Sequence, residues 1–227
     1  MNQFDPDQAF REYGPMVSTL ARRLILNHEV ASEAAQEVWY EIIKSAPSYK
    51  NECSLSTWIY TIAKRTISRY LKNEITYSSY EINHYMSLEP IDYTDNEKEK
   101  REWVKEKCDH CLTAFCHCLN NEARLIFLFH QIVNLSYNQI SEIMELKEEN
   151  IRKIASRSRA KVKNFMENNC ILYNPRGNCR CRIRQHIKSV KLDLEYSKLE
   201  KAAQLTRFYL KFEKDLPRQN YWIKIIT

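Results

Sequence analysis

Apolar residues recur at intervals of three and four along most of the chain, the spacing that puts them on one face of an α-helix. A first helix is expected over residues 4–27, opening after Asp5-Pro6, with Phe10, Tyr13, Met16, Val17, Leu20 and Leu24 inside. A second, over 30–45, runs through Val30, Ala34, Val38, Ile42 and Ile43 and is ended by Pro47. The polar stretch SAPSYKNECS reads as a loop, after which Ser54 or Ser56 caps a third helix, LSTWIYTIAKRTISRYLKN. Residues 76–107 begin polar and without helical period, and from Glu81 to Asp109 nine acids meet five bases, the composition of a solvated acidic linker.

The pattern sharpens between Leu135 and Phe165. Ser136 is placed to cap a short helix with Ile140, Ile143 and Met144 on its apolar face. The turn Glu145-Leu146-Lys147 leads into a second helix whose opening carboxylates, Glu148 and Glu149, suit the positive end of the helix dipole. Ile151, Ile154, Ala155 and Val162 line its inner side, and Arg152, Lys153, Arg157, Arg159, Lys161 and Lys163 its outer side. One packed stripe on an otherwise cationic helix, behind a short helix and a tight turn, is the arrangement of a helix-turn-helix that lies in a DNA major groove.

Composition supports helices joined by short connections. The 227 residues hold only two glycines, Gly14 and Gly177, too few for a sheet-rich fold or for the glycine-rich loops that cradle nucleotide phosphates. The net charge is +6, but Lys147 to Lys191 carry thirteen Lys or Arg against three Glu, an excess of ten, so the remainder is about four units negative. Cations concentrated in this way fit a phosphate backbone, where each neutralised phosphate releases counterions. The start, MNQFDPDQAF, has neither the basic nor the apolar part of a secretory signal, and no apolar run reaches the ~18 residues of a membrane span, so a cytoplasmic protein is expected. No carboxylate pair, nucleophile triad or phosphate loop is present, and an enzyme is not expected.

The run VASEAAQEVWYEIIK, a gap of about ten residues and then LSTWIYTIAKRTISRYLK resemble region two of the extracytoplasmic-function sigma factors of bacterial RNA polymerase. The helix-turn-helix, with LSYNQISEIM and the pair Arg157 and Arg159, resembles their region four. The resemblance covers residues 8–168 and implies an all-α protein: region two over 4–75, an acidic linker over 76–107, region four over 108–168 and a cysteine-bearing extension over 169–227. It further implies an alternative sigma factor that binds core RNA polymerase, selects promoter DNA and opens its strands. Polymerase contact then falls to Glu33, Gln36, Glu37 and Trp39. The minus-ten element falls to Tyr49, Lys50, Asn51, Trp58, Lys64, Arg65 and Arg69, where aromatics can stack on an extruded base and cations hold the backbone. The minus-thirty-five element falls to Glu149, Asn150, Arg152, Lys153, Ser156, Arg157 and Arg159, the earlier residues nearest base edges and the later cations on phosphate. Ser32 stands where many members carry an acid, and Ile154 where many carry Arg.

Val104, Cys108, Cys111, Phe115 and Cys118 form one helical stripe, which packing alone accounts for. Cys170 and Cys179-Arg-Cys181 flank Pro175 and Gly177, where no regular helix runs. Together Cys111, Cys118, Cys170, Cys179 and Cys181 offer soft ligands for a zinc ion, with His110 and His117 as alternatives that more often face solvent. A metal site, a redox switch and packed thiols are the three readings. Beyond residue 188 an amphipathic segment through Leu194, Leu199, Ala203, Leu205, Phe208 and Phe212 needs a surface to cover, and a built-in regulator is one use for it, as is a separate anti-sigma partner. Two alternatives stand beside the sigma reading: a helix-turn-helix regulator acting on duplex DNA without polymerase, and a zinc enzyme.

Overall fold

A computed structural model describes residues 4–74, 76, 78, 113, 114, 116–169, 176 and 177. The described residues hold six α-helices and no strand: α1 (Pro6–Leu24), α2 (His28–Ser45), α3 (Leu55–Tyr70), α4 (Asn121–Gln131), α5 (Tyr137–Met144) and α6 (Glu148–Asn169). This is the all-α class that the periodicity predicts. None of the described helices is long and apolar enough to cross a membrane. Of the cysteines, Cys108, Cys111, Cys170, Cys179 and Cys181 lie outside the described residues, as do His110, most of the 76–107 segment and everything after Gly177.

The chain divides into two compact units, Met1–Tyr77 with Cys116–Val162 and Ser78–Phe115 with Lys163–Thr227. Helices α1 to α5 and most of α6 therefore share the first unit. In the second, Phe165 and Met166 on the last turns of α6 are buried, and the Asn169 side chain donates to Phe165 O at 2.8 Å.

Capping residues set the boundaries in the first unit. The Asp5 carboxylate accepts from the N–H groups of Asp7 and Gln8, with Pro6 at the first helical position where its missing N–H costs nothing. Asn27 does the same for α2 at Glu29 and Val30, and starts that helix two residues earlier than its apolar stripe indicates. Ser54 accepts from Thr57 N to start α3, and Asn120 from Ala123 N to start α4. Between α2 and α3 a 3-10 turn at Ala46–Ser48 follows the expected break at Pro47.

Leu20, Leu24, Val38, Ile42, Ile59 and Ile67 are fully or almost fully buried, which is the core α1, α2 and α3 build together. Two residues placed inside by their spacing are not there: Phe10 is 56% exposed and Ile43 55%. Each lies at the margin of its helix's stripe, where a sequence window counts a residue inside although no neighbouring helix covers it.

The α4–α6 segment joins this core through polar as well as apolar groups. Tyr60 of α3 meets Phe129 of α4 edge to face, ring centroids 6.1 Å apart. Asn121 donates from its amide to Leu71 O at 2.9 Å. Arg124, 0% exposed, reaches Cys116 O at 3.2 Å, Leu119 O at 2.9 Å and, across the unit, Leu24 O at 3.0 Å. The last is a carbonyl at the C-terminus of α1, where the helix has no partner of its own and its dipole favours a cation.

Candidate nucleic-acid interface

The helix-turn-helix is built as its residues predict. Ser136 and Gln139 form a reciprocal capping box at the start of α5, side chain to backbone in both directions. Ile140, Ile143 and Met144 turn inward. Glu145 closes the helix in the left-handed region, φ 59° and ψ 37°, and the following Leu146 N–H returns to Ser141 O at 3.1 Å. A residue with a Cβ pays for that conformation, so this turn is held by its packing.

Between Glu148 and Val162, α6 buries Ile151, Ala155, Ser158 and Val162, leaves Glu148 and Ile154 half-buried and exposes the rest. Glu149, Asn150, Arg152, Lys153, Ser156, Arg157 and Arg159, the predicted minus-thirty-five set, are all exposed on this one helix. Two of the cations are already engaged. Glu148 accepts from Arg152 Nε at 2.9 Å and Glu149 pairs with Lys153 Nζ, each one helical turn apart. The Arg152 guanidinium also lies over the Tyr137 ring, 4.8 Å from its centroid, and His130 stacks beneath Tyr137 at 4.4 Å with its Nδ1 3.1 Å from Leu135 O. A cation, a phenol and an imidazole thus lie in layers, fixing Arg152 against the first helix of the motif.

The predicted minus-ten set divides between the loop before α3 and α3 itself. The loop is pinned by the Tyr49 hydroxyl donating to Cys53 O at 2.9 Å, with Asn51 at φ 58°, a conformation asparagine tolerates. Trp58 lies between Tyr49, centroids 4.8 Å apart, and the edge of Phe4 at 5.6 Å. Lys50, Asn51, Arg65 and Arg69 are exposed, and Lys64 is half-buried. Lys64 and Arg65 both face Glu145 of the helix-turn-helix turn, at 3.9 and 3.6 Å.

Of the predicted polymerase set, Glu33 and Gln36 are exposed. Glu37 accepts from both Arg69 and the Tyr70 hydroxyl. That bond, then burial, pushes the Tyr70 phenol up to about 12, so it stays a donor at any physiological pH. Trp39 points inward: it is 8% exposed, and Phe10 covers it edge to face at 5.0 Å. The apolar surface on this side instead belongs to Tyr40, 64% exposed, with Phe10 and Ile43. Sequence reasoning missed Tyr40 because an aromatic next to a buried tryptophan carries no label of which face it takes; its offset from the Ala34, Val38 and Ile42 stripe is the signal that marks it.

His117 is completely buried, against the expectation of a solvent-facing ring, and its Nε2 lies 3.0 Å from Glu74 Oε2. Burial raises the Glu74 carboxyl, but the His117 bond and charge, the Leu26 N–H and Arg124 outweigh it and leave Glu74 below its ordinary value. Cys116 and Cys118 are buried, and burial first, then Cys116, pushes the Cys118 thiol up to about 12. Among the described residues no three His, Cys, Asp or Glu side chains converge as metal ligands.

Residues 9–74 match the family Sigma-70 region 2. The chain is 22% identical to RNA polymerase sigma factor YlaC of Bacillus subtilis over 160 residues, 70% of this chain and 91% of the relative. It is 23% identical to ECF RNA polymerase sigma-E factor of Haemophilus influenzae over 164 residues, 68% of this chain and 84% of the relative. The matched region covers α1 to α3, and the relatives' alignments are too long to stop there and must take in residues well beyond it. Residues 9–74 thus carry a Sigma-70 region 2 domain, and over about two thirds of its length the chain is similar to RNA polymerase sigma factors.

Proposed function

We propose that this sigma factor binds core RNA polymerase through the α1 and α2 side of region two and presents two separate surfaces to promoter DNA. The exposed Glu33 and Gln36, with the apolar Phe10, Tyr40 and Ile43, form the polymerase contact. Glu37 works from behind, linking that face to Arg69 of α3. The loop Tyr49–Cys53 and α3 hold the opened minus-ten strand, with Lys50, Lys64, Arg65 and Arg69 on the backbone and Tyr49 and Trp58 as the aromatic platform. Helix α6 enters the major groove at the minus-thirty-five element, Glu149, Asn150, Arg152 and Lys153 leading and Arg157 and Arg159 on phosphate. The regions divide at 4–75, 76–107 and 108–168, and Cys170, Cys179 and Cys181 of the extension from 169 are, with Cys111 and Cys118, the candidate ligands for a zinc ion. Initiation in this scheme is binding and strand opening, with no covalent step by the sigma factor.

What supports the reading most is the match of residues 9–74 to region two, because those residues include both the exposed apolar face of α2 and the cations of α3. Run-off transcription with core polymerase on DNA from the protein's own genome tests it. Initiation at discrete sites that requires this protein is the expected result. A protein that neither binds core polymerase nor adds start sites, yet shifts duplex DNA alone, would overturn it in favour of a polymerase-independent regulator.

A further inference from the structure

Three consecutive helices each contribute one layer to a stack. His130 lies in the last turn of α4, Tyr137 is the first residue of α5, and Arg152 is one turn into α6. His130 and Tyr137 lie ring on ring, centroids 4.4 Å apart and planes 27° from parallel, and the Arg152 guanidinium carbon is 4.8 Å from the Tyr137 centroid. Two groups that lie over one six-membered ring need its two faces, so Tyr137 is the middle layer.

The loop between α4 and α5 fixes the lower layer. Leu135 N–H donates to Phe129 O at 3.0 Å, and Leu135 O is 3.1 Å from His130 Nδ1. A carbonyl only accepts, so Nδ1 carries the proton and that bond sets the imidazole plane. Asn134, at φ 64°, turns the loop back on α4 in a conformation that asparagine tolerates. Tyr137 follows Ser136, whose capping box fixes the first turn of α5. The ring is therefore placed before any ligand arrives.

Arg152 is held in two different ways. Its edge donors Nε and Nη2 go to Glu148, and its face goes to Tyr137. A base edge competes only for the donors. When it takes them from Glu148 the ring contact survives, so the guanidinium keeps its plane, whereas an unstacked arginine on a helix surface gives up many rotamers on binding. The base that presents two acceptors to such a fork in the major groove is guanine, through O6 and N7.

We infer that Tyr137, backed by His130, is the positioning residue that sets Arg152 to read one guanine of the minus-thirty-five element. Tyr137 stacks on no base, because both its faces are taken; it acts through Arg152. The inference deepens, and rests on, the assignment of α6 to that element.

The test is selection by the holoenzyme, core polymerase with the full chain, from a promoter located by run-off transcription and randomised across its minus-thirty-five element, with the bound DNA sequenced. Wild type is expected to prefer guanine at one position, and Arg152→Ala to remove that preference. Tyr137→Leu keeps apolar cover without a ring; it is expected to lower the guanine preference at the same position about two- to fivefold, the worth of an exposed cation–π contact, and to leave the other positions unchanged. Tyr137→Phe restores the face and should select as wild type does. His130→Gln keeps a donor for Leu135 O without the stacked ring, should fall between the Phe and Leu variants, and carries the test if the Leu variant fails to fold. A purely structural role for Tyr137 would weaken binding evenly and leave every preference as it was, which would overturn the inference. So would a Leu variant that selects like wild type, a Phe variant as impaired as Leu, a change at a position other than the one Arg152→Ala affects, or a preferred base there other than guanine. Failure of the minus-thirty-five assignment reads differently: wild type itself then selects nothing in the randomised element, and the inference falls with it.

Discussion

Replacing Arg124 by Met removes the guanidinium that ties α4 to the end of α1. A buried charge is often replaced by a hydrophobe at little cost, because its partner charge is usually removed or relieved with it. Here the partners are main-chain carbonyls that stay where they are. Cys116 O keeps a bond from the Leu119 N–H at 3.1 Å, so the losses fall on Leu24 O and Leu119 O. Two charge-assisted bonds at about 1.5 kcal/mol each put the loss near 3 kcal/mol. For a chain of this size that lowers the melting temperature by about 6–12 °C. Urea and thermal unfolding of the full chain, followed by far-UV circular dichroism, measure it. Arg124→Lys retains the charge but cannot span the carbonyls, and should recover less than half of the loss. A Met variant within about 1 kcal/mol of wild type, or full recovery by Lys, would refute the carbonyl-capping account.

Three further outcomes follow from particular groups. Glu74 is held below its ordinary value of 4.5, so its contribution is fully present above that pH and is lost as the pH falls through its lower folded-state value. Glu74→Gln should cost about 1–2 kcal/mol at neutral pH and flatten the acid limb of the stability profile, and an acid limb unchanged from wild type would remove Glu74 as its source. Alkylation at pH 8 mapped by mass spectrometry should label exposed Cys53 well before the buried Cys116 and Cys118, the latter also disfavoured as a thiolate by its burial, with all three labelled in denaturant; native labelling of Cys118 at the Cys53 rate would contradict its buried state. Tyr40→Ala with Ile43→Ala should leave the unfolding midpoint within about 0.5 kcal/mol while weakening binding to core polymerase at least tenfold, and undiminished binding would move the polymerase contact elsewhere.

Helical spacing and capping chemistry made most of the fold legible. Asp5-Pro6, Ser54 and Ser136 each mark a helix start that the structure reproduces, because a cap is a local bargain between one side chain and nearby N–H groups. The outward set on α6 was equally legible, since a single buried stripe fixes every other direction on a helix. The failures are nonlocal. Phe10 and Ile43 lie at stripe margins where only the position of the next helix decides burial. Trp39 is buried and Tyr40 exposed for the same reason. Arg124 and His117 look like surface residues in any window, and become interior only because Leu24 O and Glu74, 100 and 43 residues away in sequence, are there to receive them. The cover of Lys64 and Arg65 by Glu145 has no sequence signal at all, as it joins residues about 80 positions apart.

The carboxylates that open α6 bear on selectivity. Arg152 and Lys153 meet any nucleic acid already satisfied by Glu148 and Glu149, so random phosphate must displace an internal partner to reach them, and the gain from each such exchange is small. A base edge that presents a separate acceptor to each guanidinium donor offers what Glu148 does not, since one carboxylate oxygen takes both Nε and Nη2 of Arg152. In the proposed minus-thirty-five contact, the helix tip would therefore discount indiscriminate attraction, leaving Arg157 and Arg159 further along to supply the bulk of nonspecific grip. Discrimination on this helix begins with what its own first turn withholds.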